Sequence, residues 1–419
     1  MRLDLTRTWH EPGAAFLVRR MVLAALVAFA ASSCATLPPC PARGGPVWTE
    51  WTSPHVVLLT DLDEDDARSA LRDFEELRKA VLVAAWRRAP EPRGPITVVV
   101  LRSDSELYMF LPDGVAAGVV VTRSRQAFIL KSGAARDRYV TDPIVRLLSY
   151  HFGLGRLPWF EEGLARYLEE LRLEKDGTLT YGDADPLLFH NVTHGELMGF
   201  EHLWEPRTAE NEQSINNKQS FIATSWLAVH YLFNHEPDRF LIFEMALASA
   251  RDPRAAWRAA FPDLTPEVMD QQLAEYAFHG GQFTSFGGRL PPEPFKPHAT
   301  SVPDAAVHAL RAVLLATAAA PRLELARAEV AEAFRLDATS VLAAYVDREL
   351  LGGDARDIDL PKRLVAVHPS SATAWLLLSH AREARHETDE AHEAWEGMLR
   401  AGGAPDAPVV LELRVARPD

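Results

Sequence analysis

The chain is poor in cysteine, in basic charge and in long apolar runs, and each shortage removes a class of protein. Only Cys34 and Cys40 occur in 419 residues, both near the start, so no disulfide framework or cysteine-based zinc module holds the core. Lys and Arg number 44 against 58 Asp and Glu, a net charge of −14 that excludes a duplex nucleic-acid partner, since phosphate binding needs a basic face. No apolar run reaches the ~20 residues of a membrane-spanning helix. G-x-S-x-G, P-loop and dinucleotide-binding patterns are all missing, Gly153-Leu-Gly155 included. What remains, 47% apolar and 24% charged, is a globular chain too long for one small core.

The first positive signal is at the N-terminus. Arg19-Arg20 precedes an uncharged apolar run from Met21 to Ala31, the length of a signal-peptide h-region. It ends in Ala31-Ser32-Ser33-Cys34, which resembles a bacterial lipobox; the resemblance implies that Cys34 is diacylated and becomes the new N-terminus. Asp4 and Glu11 are foreign to a positive n-region, which places the expected start at Val18. Residues 1–33 are thus expected as a lipoprotein signal peptide and 34–47 as a Pro-rich tether, in which Cys40 has no assigned role. Ala35 after the cysteine favours the outer membrane, on its periplasmic or surface side.

Period-2 and period-3.6 patterns divide the rest. Strands are expected at His55–Thr60, Ile96–Leu101, Val119–Thr122 and Ala127–Lys131. Ala67, Leu71, Phe74, Leu77, Val81 and Ala84 share one face of a helix over Asp63–Arg88. From Asp142 the pattern is helical to about Leu173, then again over Gln219–Asn234, Pro237–Ala250 and Pro266–His279. A small sheet leading into packed helices is an α+β arrangement. The Gly/Pro stretch 281–302 reads as a linker, and residues 303–419 as an all-α domain of helical hairpins.

Leu157-Pro-Trp-Phe-Glu-Glu-Gly-Leu-Ala-Arg-Tyr167 resembles the P-W-x-x-E-G-x-A-x-Y segment of the peptidase MA-like (gluzincin) metallopeptidases. Phe221-Ile-Ala-Thr-Ser-Trp-Leu-Ala-Val-His-Tyr231 is similar to the family's downstream helix. The resemblance covers residues 48–280 and implies that Glu162 occupies the position of the third zinc ligand. Active members carry H-E-x-x-H on the preceding helix, where two histidines one turn apart bind zinc and the glutamate takes a proton from its water. No such motif occurs here. Two correspondences compete: the motif falls either on Asp142-Pro143-Ile144-Val145-Arg146 or on Leu147-Leu148-Ser149-Tyr150-His151. The first is preferred, since its distance to Glu162 is the more usual one in the family. Either way the first ligand and the catalytic glutamate are missing.

The first correspondence also makes physical sense. Asp142 before Pro143 reads as N-cap and first helical residue. Asp142 and Arg146 stand at i and i+4, and Arg146 is expected to project towards Glu162 and neutralise it. No cofactor is expected and no residue is assigned a catalytic role. The alternative is an active zinc peptidase with His151, Glu162 and His190 or His194 as ligands. His230, on the apolar face of its helix, reads as a core histidine.

In the C-terminal region Trp375, Leu378, Ala391 and Trp395 match the aromatic, Leu and Ala positions of a tetratricopeptide repeat, with helices expected at Ala372–Ala384 and Thr388–Arg400. Ser379 and Arg382 stand where the motif has Gly and Tyr. Trp375 and Trp395 are expected to be largely buried between the two helices, and such hairpins imply a concave surface for a peptide or protein. Together these features anticipate an inactive, metallopeptidase-like envelope lipoprotein that binds a peptide or protein partner, or else a structural envelope protein. Cys34→Ser should release the protein from the membrane phase in detergent partition; persistent membrane association defeats the lipid anchor.

Overall fold

Strand β1 (Thr49–Thr52) is the entry to a six-stranded mixed sheet that the computed structural model arranges in the order β4-β5-β3-β2-β1-β9. Residues 39–86, 95–111, 117–121, 127–133, 140–152, 157–174, 176–183, 186–205, 215–249, 252–278, 286–291, 294–318 and 320–403 are described. Cys34 and the apolar run before it lie outside them, as does part of the 281–302 stretch. Strands β2 (Val56–Thr60), β3 (Ile96–Leu101) and β5 (Ala127–Ser132) are mutually parallel. Their near-continuous Val/Leu/Ile composition is that of strands covered on both faces. β4 (Ala117–Val121) runs antiparallel to β5, and β1 antiparallel to β2.

The helix Glu64–Ala85 makes the crossover from β2 to β3. Asp63 caps it by accepting from the Asp66 N–H, with Glu64, Asp65 and Asp66 in the first turn beside the positive end of the helix dipole. Its apolar stripe, Ala67, Leu71, Phe74, Leu77, Val81 and Ala84, is buried as its spacing requires. That helix packs in turn on the helices Thr141–His151 and Pro158–Glu169.

The helix Pro158–Glu169 is seated by its own sequence. Pro158 occupies the first helical position, where no N–H is needed. Trp159 and Phe160, both without exposed surface, anchor the first turn in an aromatic cluster. Trp159 meets Phe200, Trp204 and Trp257 edge to face, with centroids 5.4, 5.7 and 6.2 Å away. One turn on, Gly163 lies against the long helix Ile215–His235: a Cβ there would stand 2.3 Å from the Ser225 carbonyl oxygen and 2.6 Å from Val229 Cγ2. The glycine thus sets how closely the two helices approach.

A second, three-stranded sheet joins β6 (Arg172–Leu173), β7 (Thr178–Tyr181) and β8 (Phe286–Arg289). β8 and β9 (His298–Ser301) both fall within the stretch expected to be a linker. This corrects that expectation. β9 completes the large sheet by pairing with β1, and helix Asp304–Thr317 follows three residues later. The described residues from 39 to 403 accordingly form one compact unit rather than two domains on a tether. Further departures are the helices Pro186–His194 and Pro253–Ala260, which the hydrophobic pattern did not reveal.

The C-terminal helices Leu323–Leu336, Val341–Tyr345, Asp359–Val367, Ala372–Ala384 and Thr388–Arg400 are all present, the last two with the expected bounds. Ser371 caps Ala372–Ala384 by accepting from Ala374 N–H. Trp375 and Trp395, expected to be largely buried, are partly buried, neither fully covered nor exposed. Trp375 lies flat on the backbone at Gly397, where a Cβ would come within 2.5 Å of the ring, and its indole N–H donates outward to Pro369 O at 2.9 Å. Among the described residues no helix is long and apolar enough to cross a membrane.

Gly163→Ala should cost about 3 kcal/mol in urea unfolding, because the clash is with backbone and a helix has to shift to relieve it. Unchanged stability would mean that the two helices are not locked at this spacing.

Candidate functional site

Helices Thr141–His151 and Pro158–Glu169 lie side by side and present six charged residues to one another. Thr141 opens the first of these helices, so Asp142 stands inside the first turn rather than at the cap, a correction to the expected N-cap. Pro143 is tolerated there because first-turn N–H groups have no intrahelical acceptor. Freed from capping, the Asp142 carboxylate grips Arg146 bidentately, with Nε to Oδ2 at 2.8 Å and Nη2 to Oδ1 at 2.9 Å. The same Nη2 reaches across to Glu162 Oε2 at 2.8 Å. Asp142, Arg146 and Glu162 therefore converge as the spacing anticipated.

The network is larger than those three residues. Arg166, one turn after Glu162, donates Nε to its Oε1 at 3.0 Å and Nη1 to Glu169 Oε2 at 2.8 Å. Glu161 Oε1 stands 3.6 Å from Arg146 Nη1. Arg166 and Glu169 escaped the sequence reading, and Glu161 was set aside there because neighbouring helix residues face different directions. The i, i+4 spacing of Glu162 and Arg166, with Glu169 three residues further, was the available signal.

Burial opposes the charges of Glu162 and Arg146, and at these two the ion pairs decide the outcome. At Glu162, 7% exposed, burial pushes the pKa up, but the charges of Arg146 and then Arg166 outweigh it and hold the carboxyl below its ordinary range. At Arg146 burial disfavours the cation, yet the hydrogen bonds and charge of Asp142, then those of Glu162, raise its pKa above the usual value. Glu161 is pushed up, first by burial and then, against Arg146, by its acidic neighbours Glu162 and Asp142. The site is a fixed set of charges with Glu162 ionised and doubly held.

The other candidates are placed as follows. The side chain of His151 lies outside the described residues. His190 and His194 sit on the exposed face of helix Pro186–His194 with their rings stacked at 5.0 Å. His230 is a core residue, as expected: Nδ1 stands 2.8 Å from both Tyr276 Oη and Asn234 Nδ2, and burial drives its pKa down to about 4. Among the described residues no group of three or more His, Cys, Asp or Glu side chains is arranged to hold a metal ion. A groove of about 450 Å³ between the last three helices is lined by Lys362, Val365, Trp375, Leu378, Arg382 and Glu393.

Arg146→Ala should destabilise the protein by about 2–3 kcal/mol. The figure is set below that of a fully buried pair because the Arg146 side chain keeps 29% of its exposure. Glu162→Gln in the same background should recover part of that loss. Because the Glu162 pKa is depressed on folding, the pair's contribution is complete above the free carboxylate pKa of about 4.3 and is lost as pH falls through the folded value. Additive, pH-independent losses in chemical denaturation would contradict a coupled pair. No family model and no curated protein matches the chain.

Proposed function

We propose that the chain is a catalytically inactive, metallopeptidase-like lipoprotein of the bacterial cell envelope that works by binding a peptide or protein. The observation that carries this reading is the double occupation of Glu162, with Arg146 on one carboxylate oxygen and Arg166 on the other. A catalytic zinc needs three protein ligands and one open position. The donor set here does not fit one. The residues in the preferred motif correspondence are an aspartate, a proline and an arginine, and a divalent cation beside Glu162 would meet the Arg146 guanidinium. A cation of fixed charge in that place neutralises the carboxylate and leaves no general base aligned with a metal-bound water.

The resemblance to gluzincins over residues 48–280 supplies the metallopeptidase frame, and the lipobox-like Ala31-Ser32-Ser33-Cys34 supplies the envelope location. A second surface for the partner is the groove bordered by Trp375, whose lining also includes Lys362 and Glu393. The tetratricopeptide-like matches at Trp375, Leu378, Ala391 and Trp395 favour a peptide-like ligand there.

Elemental analysis and hydrolysis assays on the purified full chain test the reading together. Less than a tenth of an equivalent of zinc and no cleavage of casein or unstructured peptides are expected. About one equivalent of zinc with chelator-sensitive hydrolysis would sink it, and would favour the ligand set His151, Glu162 and His190 or His194.

A further inference from the structure

The carboxyl ends of parallel strands are where α/β sheets usually hold ligands. Here that edge is filled by the chain itself. Asp61 follows β2, Arg102 follows β3, and Glu106 sits in the short helix after it, with Asp61 and Glu106 1% and 3% exposed. Into this notch the helix Asp304–Thr317 inserts Arg311, itself 2% exposed, with Nη2 3.7 Å from Glu106 Oε1. Arg102 stands 3.8 Å from Asp61 on the solvent side. Arg311 also donates Nη1 to Cys40 Sγ at 3.5 Å and lies over the Trp48 ring at 5.8 Å. One turn before it on the same helix, His308 stands against Cys40 and pairs through Nδ1 with Glu329 Oε2 at 2.5 Å.

The seam between the sheet, the N-terminal segment and the C-terminal helices is thus a chain of buried ionisable groups. Its outer rim is held by Ala42 N–H on the Asp304 carboxylate at 2.9 Å and by Arg43 and Arg335 on Glu332. We propose that this seam is a proton-held latch: the C-terminal helices stay docked on the sheet while Glu106 and His308 carry their protons, and loosen as they lose them.

Each group pulls in the same direction. Burial, then the charge of Asp61, pushes Glu106 up to about 7 against the opposing Arg311 and Arg102. Asp61 is raised as well, by burial against Arg102 and Arg311. Burial disfavours charged His308, but its contacts with Cys40 and Glu329 win and raise it to about 9. A group whose pKa is raised on docking favours the docked state below its free pKa and loses that contribution as pH rises through the docked value. For Glu106 the loss is complete above about 7, where a second buried negative charge would face Asp61. For His308 it is complete above about 9, where the imidazolium partner of Glu329 is gone. The Cys40 thiol, 2% exposed when docked, is uncovered by the same opening.

The test is hydrogen exchange of the full chain between pH 6 and 9, corrected for intrinsic exchange rates. Amides of residues 304–317 and 49–52 should lose protection by about tenfold or more over that range. Those of 215–235 should hold constant. Glu106→Gln, which mimics the protonated carboxyl, should remove most of the part of the loss that falls below about pH 7, and Glu329→Gln should bring the part between about 7 and 9 to lower pH. A flat wild-type profile overturns the latch whether or not the variants fold. So does an equal loss in residues 215–235, or an unchanged profile in Glu106→Gln.

Discussion

Glu162 is carried into the interior by the aromatic seating of Trp159 and Phe160 and by the close helix contact at Gly163, and a carboxylate there has to be met by cations. Much of the surrounding structure answers that demand. Arg146 comes from the preceding helix and Arg166 from the same one, and Asp142 and Glu169 fix the two guanidinium groups from behind. In a gluzincin the resemblance would put a metal ion at this place. A guanidinium meets the same electrostatic requirement with a directional, planar donor, and no exchangeable ligand position comes with it.

The same constraint recurs at the carboxyl edge of the parallel strands, with a different result. Around Glu162 two arginines face one deeply buried carboxylate, and the group stays ionised. Around Asp61 and Glu106 one buried arginine faces two carboxylates, with Arg102 offset towards solvent, and burial raises the pKa of both carboxyls.

Local patterns carried the parts of the molecule that were legible in the sequence. The stripe from Ala67 to Ala84, the hairpin helices at 372–384 and 388–400, and the Asp142–Arg146 pair all follow from spacings of three and four residues. The capping role expected of Asp142 failed because the helix opens one residue earlier, at Thr141, which puts Asp142 inside the first turn with its carboxylate on Arg146. The exposure that Trp375 and Trp395 retain was beyond a motif match, which fixes the helix face of a residue but not what covers its outer edge. Polar Arg311 and His308 inside the apolar run Val307–Leu315 hinted at buried partners, yet nothing local named Glu106 or Glu329. β9, His-Ala-Thr-Ser, shows neither alternation nor β-branched density, so its place in the sheet is set by β1 and not by its own composition.

That pairing has a consequence for how the protein is made. Thr52 and His298, hydrogen-bonded neighbours in the finished sheet, are 246 residues apart in sequence. During synthesis or export from the N-terminus, β1 therefore presents an unpaired edge until nearly three-quarters of the chain has emerged. Closing so long a loop comes late and slowly in folding. Until then the strand edge is open to pairing with other chains.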